Sequence, residues 1–207
     1  DPKGATVAIQ GFGKVGYWTA LALEDMGLKV VAISDVSGGV TGFKSVTDLQ
    51  KYAKENGTLS NAPGTDGLTN TELLHLGVDV LVPAALSDAI TEATASGIKA
   101  KIVVEGANAP TTPSGDAIMN DNGVIVVPDI LANSGGVIVS YFEWVQDKQN
   151  YFWSAEEVKT NLSTILMRAI TEVADKAKDE KLTWREAANM IGVARVAQAH
   201  RLRGLYP

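Results

Sequence analysis

The spacing of three glycines after the first apolar run constrains the fold of this chain more than any other feature. Gly11, Gly13 and Gly16 form the pattern G-x-G-x-x-G within TVAIQGFGKVGYWTALALEDMGLKVVAISD. The spacing alone is weak, because 20 of the 207 residues are glycine. Its surroundings strengthen it: an apolar run over residues 6–10 precedes it, and an apolar repeat of helical period follows over residues 15–26. The order strand, tight turn, helix, strand predicts a βαβ unit.

This βαβ unit matches what a dinucleotide requires. The first glycine permits the tight turn, the second lets the backbone approach a pyrophosphate, and the third lets the helix pack closely on the strand. The N–H groups at the helix start would face the phosphates. Asp35 ends the second predicted strand and would accept hydrogen bonds from the adenosine ribose hydroxyls. The alternative is a βαβ unit whose turn holds no ligand, and the complete context favours the nucleotide.

The predicted cofactor site therefore has two segments, the glycine loop and the residues that end the second strand. Its residues are Gly11, Phe12, Gly13, Lys14, Val15, Gly16, Asp35 and Val36. Lys14 is expected to point to solvent or to a phosphate. NAD is preferred over NADP, because a 2′-phosphate would meet the negative charge of Asp35. Val36-Ser37-Gly38 carries no cation to offset that charge, and Lys44 is the cation that could reach it.

Strands alternate with helices through most of the chain, which predicts an α/β fold with a Rossmann-type, doubly wound, mostly parallel sheet and right-handed crossovers. Five strands are expected, at residues 6–10, 28–34, 78–83, 101–105 and 124–127. VSGGVTGF and NAPGTDGL are expected to be loops. Two capping boxes, opened by Ser154 and Thr183, predict that the last part of the chain is helical. We place the dinucleotide-binding domain at residues 1–150 and the helices packed on it at residues 151–207.

Composition excludes several classes of protein. The net charge of −6 argues against nucleic acid as a general partner. No apolar run approaches the roughly 20 residues of a membrane span, so no membrane partner is expected. The absence of cysteine excludes disulfides, thiolate metal sites and thiol nucleophiles, and fits a cytoplasmic protein. The chain begins Asp1-Pro2-Lys3-Gly4 without methionine, and we expect it to be a piece of a larger protein.

Few side chains in this sequence are suited to acid–base catalysis, and no catalytic residue is assigned in this chain. His75 lies at a predicted helix end, where an imidazole interacts with the helix dipole, and His200 lies near the C-terminus. Asn108 and Asn133 follow predicted strands, at the sheet edge where ligands bind in such folds, and Ser140 lies about a helix turn beyond. Turn formation and capping are the alternative roles for these three residues.

Several blocks of the sequence resemble the glutamate dehydrogenases of the amino-acid dehydrogenase superfamily. They are GFGKVG, VVAISD, VDVLVPAAL, VVEGANAPTTP, VPDILANSGGVIVSYFEWVQ and AANMIGVARVAQAHRLRG, in that family's order. The fourth and fifth blocks are the most specific. The resemblance covers nearly the whole chain and implies the C-terminal, NAD-binding domain of such an enzyme. Ala109 and Ser134 stand where the family pattern has Gly and Ala.

The resemblance also implies roles for individual residues. Ala84 and Ala85 would line the path of the adenine and its ribose, and Asn108 would lie near the nicotinamide ribose. Asn133 would contact nicotinamide or substrate, whereas Val137 and Ser140 would approach the glutamate side chain, with Ser140 at its distal carboxylate. The catalytic lysine and aspartate of the family lie in an N-terminal domain that has no counterpart here. The parent enzyme would interconvert L-glutamate and 2-oxoglutarate as a homo-oligomer, a hexamer by resemblance.

Two hypotheses about function follow. The first is that the chain is the NAD(H)-binding domain of a glutamate dehydrogenase, which binds cofactor without catalysis when isolated. The second is a stand-alone nucleotide-binding module that senses cofactor or regulates.

Overall fold

The computed structural model describes residues 2–204, and their contacts divide the chain into two compact units. The first unit is Asp1–Asp129 and the second is Ile130–Pro207. The predicted boundary lies at residue 150, whereas the contacts group residues 130–150 with the C-terminal helices. This grouping follows from the helical character of that segment, which packs on its helical neighbours.

A seven-stranded sheet forms the centre of the first unit. Its strands are β1 (Thr6–Gln10), β2 (Lys29–Asp35), β3 (Gly38–Thr41), β4 (Asp66–Leu68), β5 (Val80–Pro83), β6 (Ile102–Val104) and β7 (Ile125–Val127). Their spatial order is β4-β3-β2-β1-β5-β6-β7. Strands β2, β1, β5, β6 and β7 run parallel, whereas β3 pairs antiparallel with β2 and β4 antiparallel with β3. The strand order reverses between β1 and β5, and ligands bind at such a switch point in open α/β sheets.

Six helices begin within the first unit, and three follow in the second. They are α1 (Lys14–Asp25), α2 (Val46–Asn56), α3 (Asn70–Leu74), α4 (Glu92–Ala95), α5 (Pro113–Asp121), α6 (Asp129–Ala132), α7 (Gly135–Gln149), α8 (Ala155–Glu180) and α9 (Trp184–Arg203). None of the helices in the described part of the chain is both long enough and apolar enough to cross a membrane.

The alternating residues of β1 define the two buried faces of the sheet. Val7 and Ile9 belong to one apolar cluster, which includes Ala20 of α1 and Leu49 of α2. Ala8 belongs to the other cluster, with residues of α3 and α5. Because both faces are buried, the central strands are apolar throughout, as expected for a parallel sheet.

Two strands were missed in the sequence analysis. VSGGVTGF, predicted to be a loop, contains β3, which pairs with β2 over residues 38–41. NAPGTDGL, predicted to be irregular, contains β4. Glycine is depleted in strands, so these glycine-rich segments carry little strand signal of their own. Pairing decides their conformation: β3 pairs with β2, and β4 pairs with β3. Between β5 and β6, the helix α4 begins only at Glu92, and Asp88, before it, has a positive φ of 54°.

The second unit is a set of packed helices, two of which begin with capping boxes. The side chains of Ser154 and Thr183 each accept a hydrogen bond from the backbone N–H of the glutamate three residues later. The carboxylate of that glutamate in turn accepts a hydrogen bond from the backbone N–H of the Ser or Thr. Both predicted capping boxes are therefore present. Helix α8 packs against α7 and α9, and Arg195 of α9 forms an ion pair with Glu172 of α8.

Candidate functional site

A cavity of about 930 Å³ opens at the carboxyl end of the parallel strands in the first unit. Its lining includes eight residues of the predicted cofactor site: Gly11, Phe12, Gly13, Lys14, Asp35, Val36, Ala84 and Ala85. These residues come from the ends of β1, β2 and β5 and from the start of α1. The fold thus brings together three segments that are far apart in the sequence, at the switch point between β1 and β5.

The three glycines of the loop differ in what a β-carbon would meet at each position. Gly11 has a φ of +103°, and a β-carbon there would lie 2.6 Å from the carbonyl oxygen of Ala84. A β-carbon on Gly16 would collide with the carbonyl oxygen of Gly11. A β-carbon on Gly13 would meet no atom of the chain within 4 Å, and Gly13 lines the cavity. Packing therefore explains Gly11 and Gly16, whereas the space beside Gly13 is open to a ligand.

The N-terminus of α1 opens towards this cavity without a capping side chain. Its N-cap is Gly13, and its first turn contains no acidic residue. In contrast, Ser or Thr side chains cap α2, α3, α5, α8 and α9. The first N–H groups of any helix lack intrahelical acceptors and carry partial positive charge. An anionic group in the cavity beside Gly13 would satisfy them.

Asp35 is already held by the protein. One carboxylate oxygen accepts hydrogen bonds from the backbone N–H (2.8 Å) and the hydroxyl of Ser37. The other oxygen accepts from the backbone N–H of Leu59 at 2.7 Å. These bonds tie the β2–β3 turn to the segment after α2. Asp35 therefore has a structural role in addition to its predicted contact with a ribose.

The opposite wall of the cavity is formed by the segment after β5. This wall consists of small residues and one exposed leucine: Ala84, Ala85, Leu86, Ser87 and Ala89. Leu86 is 72% exposed, and Val36 on the other wall is 94% exposed. Exposed aliphatic side chains on two walls of one cavity suit a flat apolar ring between them.

The structure adds lining residues that were not predicted. They are Gln10, Tyr17, Trp18, Gln50, Ala53, Lys54, Gly57, Thr58, Asn70, Leu86, Ser87 and Ala89. Several belong to α2 and its C-terminal end, which no local motif connects to the glycine loop. Gln10 had a usable signal, since it is the one polar residue among the last four of a buried strand and directly precedes Gly11.

The charged residues that line the cavity are Lys14, Asp35 and Lys54. Two cations and one carboxylate give these side chains a net charge of +1, which favours an anionic ligand. Lys54, on the last turn of α2, lines the cavity, whereas Lys44, predicted to be the cation that could reach Asp35, is not among the lining residues.

Three predicted cofactor residues of the first unit are not among the lining residues: Val15, Gly16 and Asn108. Gly16 is buried and packs against Gly11. Val15 approaches Gly106, where a β-carbon would lie 3.4 Å from Val15 Cγ1. Asn108 is exposed in the loop after β6.

The loop that carries Asn108 is held by two acidic residues. Glu105 is fully buried, and its carboxylate accepts a hydrogen bond from the backbone N–H of Asp129 at 2.8 Å. The carboxylate of Asp129 accepts from the backbone N–H of Ala109 at 2.7 Å. Ala109 has a positive φ of 44°, a conformation that glycine adopts more readily than alanine. The loop after β6 is thus fastened to the segment after β7.

Asn133, Val137 and Ser140 belong to the second unit. Asn133 follows α6 and is half-buried. Val137 and Ser140 lie in the first two turns of α7, three residues apart on one face of the helix, and both are exposed. Their contacts with cofactor or substrate stay predictions.

Comparison with known proteins identifies relatives over the whole described chain. A sequence model of the Glutamate/Leucine/Phenylalanine/Valine dehydrogenase family matches residues 1–204. A glutamate dehydrogenase of Thermotoga maritima is 50% identical over 211 residues, which cover 100% of this chain and 50% of that protein. A cryptic catabolic NAD-specific glutamate dehydrogenase of Bacillus subtilis is 44% identical and covers 99% of this chain and 48% of its own length. The chain spans about half the length of these curated relatives.

Solved structures agree with the sequence comparison. A hetero-hexameric glutamate dehydrogenase from Thermus thermophilus superposes with a TM-score of 0.93 at 36% identity, over 100% of this chain and 49% of that one. A glutamate dehydrogenase from Peptoniphilus asaccharolyticus gives a TM-score of 0.80 at 37% identity, over 98% and 48% of the two chains.

Proposed function

The chain belongs to the glutamate/leucine/phenylalanine/valine dehydrogenase family, and from that premise we propose that it is the C-terminal, NAD(H)-binding domain of a glutamate dehydrogenase. The observation that carries the proposal is the open space at Gly13. A glycine that packing does not require stands at the start of α1, which has no side-chain cap, and it lines the cavity at the carboxyl ends of the strands. A pyrophosphate in that space would satisfy the N–H groups of the first helical turn.

The lining residues suit the pyrophosphate and the adenosine of NAD. The pyrophosphate would lie against Gly13, with Lys14 near its charge. The adenosine ribose would lie at Asp35, and the adenine would lie between Val36 and the wall that begins at Ala84. By resemblance, Asn108 and Asn133 would act on the nicotinamide side, with Val137 and Ser140 towards the glutamate. When bound, NAD would supply the hydride acceptor for oxidation of an amino acid.

Preference for NAD over NADP is also part of the proposal. A 2′-phosphate on the adenosine ribose would approach the Asp35 carboxylate, which costs binding energy through like-charge repulsion. Three backbone and hydroxyl donors already hold that carboxylate in place. The printed name of the Bacillus subtilis relative as NAD-specific supports the same preference.

Energy transfer from tryptophan to bound NADH tests cofactor binding. Trp18 lines the cavity and is 61% exposed, whereas Trp144 is not a lining residue. We expect a saturable energy-transfer signal that ADP-ribose competes away. Trp18→Phe should remove most of the signal, and the matched Trp144→Phe variant should keep it. A titration without any saturable NADH signal, checked by calorimetry, would contradict the proposal.

Catalysis is proposed to need the half of the enzyme that this chain lacks. The 207-residue chain should bind NADH but oxidise no measurable glutamate, because positioning between two domains and proton transfer supply many powers of ten in rate. Adding the N-terminal half of the Thermotoga maritima relative, fused or as a separate chain, should restore NAD-dependent glutamate oxidation. Substantial turnover by the 207-residue chain alone would contradict this part of the proposal.

A further inference from the structure

Gln10 places an unsatisfied hydrogen-bond acceptor at the floor of the cavity. It is the last residue of β1, its side chain is 8% exposed, and it lines the cavity. Its side-chain oxygen Oε1 has no hydrogen-bond partner among the described residues. A buried polar atom without a partner costs about 1–3 kcal/mol. The hydroxyl of Ser34, on the neighbouring strand, is likewise buried without a partner among the described residues. Because Ser34 does not line the cavity and Gln10 does, Gln10 is the one of the two that a ligand in the cavity can reach.

Gln10 lies on the strand next to the one that ends at Asp35. It is paired with Ser34 across β1 and β2, and Ser34 directly precedes Asp35. Its backbone carbonyl accepts a hydrogen bond from the backbone N–H of Ala84 at 2.7 Å. Gln10 is thus held between the two walls of the cavity, at the switch point of the sheet.

The acceptor capacity of Asp35 is largely used by the protein. Its carboxylate accepts from the Ser37 N–H, the Ser37 hydroxyl and the Leu59 N–H. A carboxylate offers about four acceptor positions, so about one is left for a ligand. A ribose presents two neighbouring hydroxyls, each with one proton to donate. One acceptor beyond Asp35 is needed to satisfy both.

We propose that Gln10 Oε1 is that second acceptor, which binds one hydroxyl of the adenosine ribose while Asp35 binds the other. The inference rests on the proposed function, since it assigns a residue to the same cofactor. It applies to the adenosine ribose, because the nearest predicted ribose ligand is Asp35 at the end of the neighbouring strand. Gln10 is then a specificity residue for a ribonucleotide with both hydroxyls free.

The test is a double-mutant-type cycle that removes either a ribose hydroxyl from the ligand or the Gln10 amide from the protein. The ligands are NAD and its two analogues with 2′-deoxyadenosine or 3′-deoxyadenosine. The proteins are the 207-residue chain, Gln10→Leu and the control Thr111→Val. Thr111 also has a buried hydroxyl without a partner among residues 2–204, but it does not line the cavity. Calorimetry measures each dissociation constant.

The wild-type chain should bind each deoxy analogue about three- to tenfold more weakly than NAD, because each analogue lacks one of the two hydroxyls and so loses one hydrogen bond. Gln10→Leu should weaken NAD binding by a similar factor and should bind one of the two analogues, the one that lacks the hydroxyl assigned to Gln10, as well as it binds NAD. Thr111→Val should behave as the wild type with all three ligands. Gln10→Met serves as a second variant if Gln10→Leu does not fold.

Several results would overturn the inference. If both deoxy analogues weaken binding equally in the wild type and in the Gln10 variants, a water or nothing at all satisfies Gln10. A further NAD analogue, which lacks the adenine 6-amino group, tests contact with the base. If Gln10→Leu binds only this analogue as well as the wild-type chain does, Gln10 contacts the adenine and not the ribose. Failure of the wild type and Thr111→Val to bind NAD would instead overturn the proposed function, so the two failures are distinguishable.

Discussion

The carbonyl oxygen of Gly11 occupies the space that a β-carbon on Gly16 would need. This contact fixes the first turn of α1 against the end of β1. It also separates the glycines of the loop by role, because a β-carbon on Gly13, between them, would meet no atom of the chain within 4 Å. The loop is therefore tightly packed at Gly11 and Gly16 and open to the cavity at Gly13.

Gly16→Ala should destabilise the first unit. The new methyl group meets backbone rather than a flexible side chain, so the loop must shift, at a cost of about 1–3 kcal/mol. Urea unfolding measures the change in free energy. Gly192→Ala, in α9, is the matched control, since its β-carbon meets no atom within 4 Å. That substitution should leave stability unchanged or raise it by up to about 1 kcal/mol. Equal effects of both substitutions would contradict the packing role of Gly16.

Ala109→Gly should stabilise the chain. Ala109 has a φ of +44°, a left-handed conformation that costs a residue with a β-carbon about 1–2 kcal/mol. Glycine adopts this conformation without that cost, and the backbone N–H still donates to Asp129. We expect a net gain of about 0.5–1 kcal/mol in the free energy of unfolding, after the larger entropy of glycine in the unfolded chain. Ala197→Gly, at an exposed site within α9, should have the opposite sign. A lower free energy of unfolding for Ala109→Gly than for the wild-type chain would contradict the claim that the backbone at Ala109 is strained.

Asp35→Ala should reduce the preference for NAD. Loss of a charged acceptor weakens NAD binding by about 1.5–3 kcal/mol, whereas NADP loses a repulsive neighbour and should bind as well as before or better. The substitution also frees the backbone N–H of Leu59, so thermal unfolding must be measured alongside. Asp121→Ala, an exposed site in α5, controls for the change in net charge. Equal affinities of the wild-type chain for NAD and NADP would contradict the predicted preference.

Asp79 should make the stability depend on acidic pH. The Lys101 ammonium, followed by the backbone N–H and the hydroxyl of Thr6, lowers the pKa of Asp79 from 3.8 to about 2. A carboxyl with a lowered pKa in the folded state contributes stability above its unfolded pKa. That contribution is lost as the pH falls from about 4 to about 2.

Asp79→Asn removes this titration. The difference in unfolding free energy between wild type and variant should be constant above about pH 5 and should shrink towards about pH 2. Urea unfolding across this range measures it. A difference that does not change with pH would contradict the role of Asp79.

Local patterns predicted the parts of this fold that local forces decide. The glycine loop, the capping boxes at Ser154 and Thr183 and the acid at the end of β2 were all readable from neighbouring residues. Strand β3 was not, because a glycine-rich segment becomes a strand only by pairing with β2. Lys54 and Thr58 could not be placed at the cavity either, since α2 reaches it through tertiary packing. The partners of Asp35 were hidden for the same reason, as Leu59 is 24 residues away in sequence.

NADH titration of the Gly13 variants tests the central claim most directly. Gly13→Ala and Gly13→Val place carbon atoms where the pyrophosphate would lie, yet no atom of the chain is within 4 Å of the new β-carbon. Both variants should therefore unfold at nearly the wild-type temperature, with Gly192→Ala as the glycine control. The wild-type chain and Gly192→Ala should bind NADH with the same affinity, and Gly13→Val should bind at least about tenfold more weakly, the loss of one or two charge-assisted hydrogen bonds. Equal NADH affinity in the wild type and in a folded Gly13→Val variant would contradict the assignment of this cavity as the cofactor site.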